Sequence, residues 1–253
     1  MTAFAELVAP AAWRTVDLVS DLHLQAAEPA TVEAWQGYLQ TTPADAIFIL
    51  GDLFEVWVGD DAAALPGFEA QCAGMLRLAA ERQPIFFMHG NRDFLVGAAF
   101  AAQSGLTLLD DPTVLVLHGR RWLLSHGDIL CLEDTEYLGF RAQVRTAAWQ
   151  DAFLARPLDE RRALARSIRA QSEDRKRSPG RVWADVDAEA ARTWLRQADA
   201  PTLIHGHTHK PATHALGEGL ERIVLSDWDA SAHPPRVQLL CLSSAGAQRV
   251  DLR

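Results

Sequence analysis

Five short apolar runs in this sequence end directly in residues that can hold a cation. TVDLVS at 15–20 leads into Asp21-Leu22-His23, AIFIL at 46–50 into Gly51-Asp52, and IFFM at 85–88 into His89-Gly90-Asn91-Arg92-Asp93. WLLS at 122–125 leads into His126-Gly127-Asp128, and TLI at 202–204 into His205-Gly206-His207-Thr208-His209. Imidazole and carboxylate together suit zinc, manganese and iron. Side chains of an extended segment repeat every second position, which points Asp21 and His23 one way and pairs His207 with His209. Asp52 follows a glycine, where the chain turns freely and a carboxylate can reach two ions. Asn91 offers a neutral oxygen. Two divalent ions bring four positive charges and Asp21 and Asp52 return two. The residual charge favours a phosphate oxygen and an activated hydroxide.

These motifs differ in weight. An isolated Asp-x-His or Gly-Asp recurs in structural settings. Gly-Asn-Arg-Asp says more, and Gly-His-Thr-His more again, because paired histidines at a strand end rarely serve packing. All five in this order, each behind an apolar run, point to one dinuclear site. The remaining histidines divide. His89 reads as a core residue or a support for a ligand, His118 as part of a hairpin turn, and His214 and His233 as surface or loop residues. His205 reads as a hydrogen-bonding support for the ligand pair that follows it.

For five strand ends to meet, the strands must lie side by side in an open α/β sheet, where functional groups gather at the carboxyl ends. Further strands are predicted at 114–117, 223–226 and 237–242. Apolar spacing predicts helices over 31–40, through Val32, Trp35 and Leu39, and over 68–83, through Phe68, Cys72, Met75, Leu76 and Ala79. The alternation is that of an α/β fold. After residue 200 the chain reads mostly as strands, so a second, more antiparallel sheet is expected.

About half of the 253 residues are apolar, enough for a sizeable core, and the net charge of −9 argues against non-specific nucleic-acid binding. No apolar run approaches the roughly 18–20 residues of a membrane-spanning helix. The N-terminus lacks a basic start and signal core, so a cytoplasmic location is expected. Cys72, Cys131 and Cys241 are scattered without C-x-x-C spacing, which fits a reducing compartment and no thiolate zinc site. Residues 134–181 stand apart. They read as helices without a strand and carry 11 basic and 7 acidic side chains, a net of +4 against −13 for the remainder. Such a segment is either a basic cover that meets an anion or a solvated pair of helices.

The set Asp-x-His, Gly-Asp, Gly-Asn-Arg-Asp, His and Gly-His-x-His resembles the calcineurin-like metallophosphoesterases, over most of the chain from Asp21 to His209. The resemblance implies a four-layer αββα sandwich formed by 1–133 and 182–253, with a helical lid inserted at 134–181. It implies one ion on Asp21, His23, Asp52 and His209 and a second on Asp52, Asn91, His126 and His207, with Asp52 bridging. Longer stretches are similar to the UDP-2,3-diacylglucosamine hydrolases of lipid A biosynthesis: GDLFEVWVGDD at 51–61, HGNRDFLVG at 89–97, SHGD at 125–128 and IHGHTHKP at 204–211. That closer resemblance implies hydrolysis of the substrate pyrophosphate to UMP and 2,3-diacylglucosamine 1-phosphate, with two divalent ions, Mn2+ by expectation. Asp52, Asn91, Arg92, His126 and His207 would carry the catalysis. Many members of the larger family have histidine where Arg92 stands, and a guanidinium there can grip a phosphate through two hydrogen bonds. Implied substrate contacts are Asn91, Arg92, Asp134, Ser172, Lys176 and His207. The sequence departs from the family at Lys176, where a small polar residue is usual, and at Pro179, where a lysine is usual.

Within the lid, Leu138, Phe140, Val144, Trp149, Phe153, Leu154 and Leu158 are candidates to receive acyl chains, at about 0.8 kcal/mol per buried CH₂. Arg141, Arg145, Arg161, Arg162, Arg166 and Arg169 could face anionic lipids, each worth about 1 kcal/mol near such a surface. The expectation is peripheral association with the cytoplasmic face of the inner membrane, with no nucleic-acid partner and no protein partner implied. Two other readings remain in play: a metallophosphoesterase for another nucleotide pyrophosphate or phosphodiester, and a non-catalytic metal-binding scaffold. The filled ligand positions weigh against the scaffold, and the mixed apolar and basic lid favours an amphiphilic anion.

Overall fold

The computed structural model of the chain describes residues 4–176 and 184–252, and the side chains of 4–169 and 184–252. In chain order the elements are β1 (Ala5–Val8), β2 (Thr15–Val19), α1 (Pro29–Thr41), β3 (Ala46–Leu50), α2 (Phe68–Ala80), β4 (Ile85–Met88), α3 (Ala98–Ser104), β5 (Leu106–Leu109), β6 (Thr113–Leu117) and β7 (Arg120–Ser125). There follow α4 (Thr135–Val144), α5 (Ala147–Leu154), α6 (Leu158–Lys176), α7 (Ala188–Ala198), β8 (Thr202–His205), β9 (Ala212–Gly217), β10 (Leu220–Val224), β11 (Gln238–Ser243) and β12 (Gly246–Asp251).

The strands form two six-stranded sheets, ordered β12-β11-β2-β3-β4-β5 and β1-β6-β7-β8-β10-β9. In the first, β2 to β5 run parallel, β11 returns antiparallel to β2, and β12 is antiparallel to β11. In the second, β7, β8 and β10 are parallel, beside the antiparallel hairpin of β6 and β7. The four-layer arrangement follows from β3, whose five residues are all buried. Ile47 and Ile49 pack among the side chains of α1 and α2, while Ala46, Phe48 and Leu50 pack against the second sheet. A strand covered on both faces has no polar face to show, which is why it reads as an unbroken apolar run. On the far side α7 covers the second sheet through Ala191, Leu195 and Ala198.

The expected strands and helices are present, with β10 running Leu220–Val224 where 223–226 was expected and α2 ending at Ala80 instead of 83. The sequence reading missed β1, β5, β9 and β12, the outermost strands of the two sheets. Outer strands are half solvated: β9 alternates exposed and part-buried residues and β12 has no fully buried residue. They therefore lack the apolar run that marks the inner ones.

Between β7 and β8 the described chain contains helices and turns and no strand. Here the arginines expected to face lipid depart from expectation. Arg141 pairs with Asp128, Arg145 donates to the Gly90 carbonyl at 2.8 Å, Arg161 pairs with Asp61 and the Val58 carbonyl, and Arg169 meets Glu55. Four of the six thus turn inward to acceptors on an acidic body, and Arg162 faces Glu69 at 3.5 Å. Of the acyl-chain candidates, Val144 and Phe153 are already buried, whereas Phe140 and Leu154 remain exposed. No helix among the described residues is long and apolar enough to cross a membrane.

Candidate metal centre

The loops that leave β2, β3, β4, β7 and β8 meet at one end of the facing sheets. Backbone hydrogen bonds lace them together: Asp21 N to Gly51 O at 3.1 Å, His23 N to Asp52 O at 3.0 Å and Gly206 N to His126 O at 3.0 Å. Asp21 and His23 lie beyond the end of β2, and their φ angles are +54° and +50°. Left-handed turns therefore aim them, where the sequence reading invoked strand alternation. The same correction applies to His207 and His209, at +67° and +52°, and Asp52 sits at +53°. Two glycines permit the close approach. A Cβ on Gly90 would lie 2.1 Å from Asp52 Oδ1, and one on Gly51 would lie 2.5 Å from His126 Nδ1.

All seven side chains expected to bind metal come together. His23 Nε2 lies 3.3 Å from His209 Nε2, 3.9 Å from Asp21 Oδ1 and 4.0 Å from Asp52 Oδ2. His209 Nε2 is 3.2 Å from Asp21 Oδ1. On the other side of Asp52, Oδ2 is 3.9 Å from His126 Nε2, and Asn91 Oδ1 lies 3.1 Å from that nitrogen and 2.8 Å from His207 Nδ1. Ligand atoms of Asp21, His23 and His209, and of Asp21, Asp52 and His126, fall within 4.8 Å of one another. Asp21 is fully buried and Asp52 is 2% exposed.

The electrostatics are those of a place that demands positive charge. Burial opposes a charged His126, but Asp52, Asp128 and Asp21 outweigh it and push its pKa up to about 9. Burial would raise Asp21, yet the hydrogen bond and charge of His209, with His126 and His23, hold it well below the carboxylate range. Desolvation and the neighbouring His126 charge pull His207 down to about 4, leaving its ring neutral. Buried carboxylates beside imidazole nitrogens and an amide oxygen are a donor set suited to divalent ions, whose charge would take the place of the proton that these carboxylates hold on His126. His126 Nδ1 donates to the Leu50 carbonyl at 2.9 Å, which orients the ring with Nε2 towards Asp52.

The other expected positions vary. Arg92 N donates to Asp52 Oδ1 at 2.8 Å, and its guanidinium is 3.9 Å from Glu55. Asp134 caps α4, accepting from Tyr137 N at 3.2 Å. Ser172 and Lys176 lie on α6, but their side chains, and Pro179 altogether, fall outside the described residues. His205 does not support the ligand pair: its Nδ1 meets the Gly206 carbonyl at 2.9 Å and its Nε2 faces Arg222 at 3.3 Å. His89 Nε2 contacts the Val96 carbonyl at 2.6 Å, as a core residue would.

Three residues of the site escaped the sequence reading. Asp93, fully buried, accepts from Gly90 N at 2.8 Å and Leu53 N at 2.7 Å and so welds the β3 and β4 loops. Burial first, and Asp52 second, raise its pKa to about 7. Its place in Gly-Asn-Arg-Asp was the available signal. Glu55 stands 2.8 Å from His23 Nδ1, and only its place in GDLFE could have marked it. The Tyr137 ring stacks on His207 with centroids 5.9 Å apart, and its hydroxyl donates to Asp128.

The calcineurin-like phosphoesterase family model matches residues 14–211. The UDP-2,3-diacylglucosamine hydrolase of Chromobacterium violaceum is 46% identical over 245 residues, covering 94% of this chain and 98% of that one. Those of Bordetella pertussis and Aromatoleum aromaticum are 44% and 46% identical, covering 93% and 85% of this chain and 94% and 89% of theirs.

Proposed function

Because the chain belongs to the calcineurin-like phosphoesterases, and within them to the UDP-2,3-diacylglucosamine hydrolase family, we propose that it hydrolyses UDP-2,3-diacylglucosamine to UMP and 2,3-diacylglucosamine 1-phosphate. The observation that carries this reading is the meeting of seven ligand-type side chains around Asp52 at the ends of five strands. One divalent ion would rest on Asp21, His23, Asp52 and His209, and the other on Asp52, Asn91, His126 and His207. Such ions, manganese in this proposal, lower the pKa of an attacking water and neutralise phosphate charge.

The water oxygen attacks the phosphorus on the uridine side and gives up its proton to solvent. The bond from that phosphorus to the bridging oxygen breaks, and its electron pair leaves with the sugar 1-phosphate. That leaving group is a stable phosphomonoester, so no strong general acid is required. The Arg92 guanidinium binds the phosphate oxygens through paired hydrogen bonds. Asn91 and His207 hold the attacked group in place, and Asp134, Ser172 and Lys176 contact the substrate from the segment 134–181, which serves as a lid. Exposed Leu132, Phe140 and Leu154 offer apolar surface for acyl chains. Exposed Arg156 and Arg166 support peripheral contact with an anionic inner-membrane surface on its cytoplasmic side.

The test is release of UMP from UDP-2,3-diacylglucosamine in the presence of manganese. Release should stop on chelation and return when manganese is restored. A soluble nucleotide pyrophosphate cleaved as fast as the lipid-linked one would refute the substrate assignment. No release of either would refute the enzyme.

A further inference from the structure

Glu55 lies three residues past Asp52 and is 7% exposed. A carboxylate so far from water needs positive or polar partners. Its Oε2 is 2.8 Å from His23 Nδ1, and its Oε1 faces Arg92 at 3.9 Å and meets Arg169 of α6. The backbone fixes its place: Glu55 N donates to Leu24 O at 3.2 Å, and Glu55 O accepts from Arg169 Nη1 at 3.4 Å. The approach to His23 is bent from the ideal hydrogen-bond line, so the attraction is mainly that of a carboxylate for an N–H dipole.

A neutral imidazole carries one ring proton. A carboxylate beside Nδ1 draws the proton there and leaves the lone pair on Nε2. In His23, Nε2 is the atom that faces Asp21, Asp52 and His209. Two of the other three ligand histidines are backed differently: His126 by the neutral Leu50 carbonyl, and His209 by Asp227 at the longer distance of 3.9 Å. We propose that Glu55 is a positioning residue, which sets the His23 tautomer for the ion held with Asp21, Asp52 and His209 and steadies Arg92 beside it. The inference rests on the two-ion reading above.

Manganese binding measured by calorimetry on the full chain tests it, with Glu55→Gln, Glu55→Asp and Arg169→Gln compared with the unaltered protein. Glu55→Gln should weaken one of the two binding events by about 10- to 100-fold and leave the other in place, and Glu55→Asp, which keeps the charge, should recover part of the loss. Arg169→Gln removes the tie to α6 while His23 and Arg92 stay beside Glu55, and it should bind manganese within about threefold of the unaltered chain. Glu55→Gln binding within that same margin overturns the proposal, as does an equal loss in Arg169→Gln, which would mark Glu55 as a mere anchor for α6. Nitrogen NMR of the unaltered, metal-free chain, at a pH where the His23 ring is neutral, gives a check that needs no variant: the one ring proton should sit on Nδ1, and its residence on Nε2 overturns the role. Failure of the unaltered chain to bind manganese would instead bring down the two-ion reading and this inference with it.

Discussion

The two oxygens of Asp52 have separate tasks. Oδ1 accepts from Arg92 N and so holds the β4 loop, while Oδ2 stands between His23 and His126. Asp52→Asn keeps the first contact and removes the charge between the two groups of ligands. UMP release should fall by more than about a hundredfold, with the far-ultraviolet circular dichroism of the folded chain unchanged. At this scale the seven ligand-type residues were legible because few residue types bind cations and each followed an apolar run. Glu55 and Asp93 were not legible in the same way. Their tasks depend on which atoms lie behind the loop, and local spacing carries no record of that. The geometry that aims Asp21 and His23 was also hidden, since nothing in Asp-x-His distinguishes a strand end from a left-handed turn.

Inner strands announce themselves and outer strands do not, because burial on both faces, as in β3, is what forces a run of apolar residues. The helices between β7 and β8 were legible as a basic segment, but not the direction of its charges. Arg161 is 2% exposed and bonds to the Val58 carbonyl and to Asp61, so it pins α6 to the loop after β3. Asp61 is 57% exposed on its side chain and regains water if the arginine is lost. The Val58 carbonyl has no such recourse. Arg161→Met should therefore destabilise the chain by about 1–3 kcal/mol in urea unfolding. Amide exchange over 158–169 should accelerate more than exchange in β3.

Across the whole molecule the net charges of +4 and −13 are drawn together by inward-facing arginines, which sequence composition could only present as two separate totals. Pairs outside the metal centre give the molecule a measurable response to acid. Asp185 receives two hydrogen bonds of 2.8 Å from Arg222, and those bonds hold its pKa at about 2, below the usual 3.8. A depressed carboxylate contributes stability above its unfolded value and loses it as pH falls through the folded one. The gap in urea midpoint between the unaltered chain and Asp185→Asn should stay level from pH 7 to about 4 and then narrow towards pH 2. Asp185 is 41% exposed on its side chain, and water screening keeps this pH-dependent share below about 1 kcal/mol.

The five left-handed residues Asp21, His23, Asp52, His207 and His209 carry a liability of another kind. Each side chain holds its backbone where only glycine rests comfortably, against a resistance of about 1–2 kcal/mol per position. A laboratory lineage bred solely for heat tolerance would find glycine attractive at His23, His207 and His209, where no backbone amide leans on the side chain as Arg92 N leans on Asp52 and His207 N on Asp21, and would arrive at a hardier, inert molecule. Durability and turnover therefore compete at the same few peptide units, and only continued demand for the reaction keeps those units from relaxing.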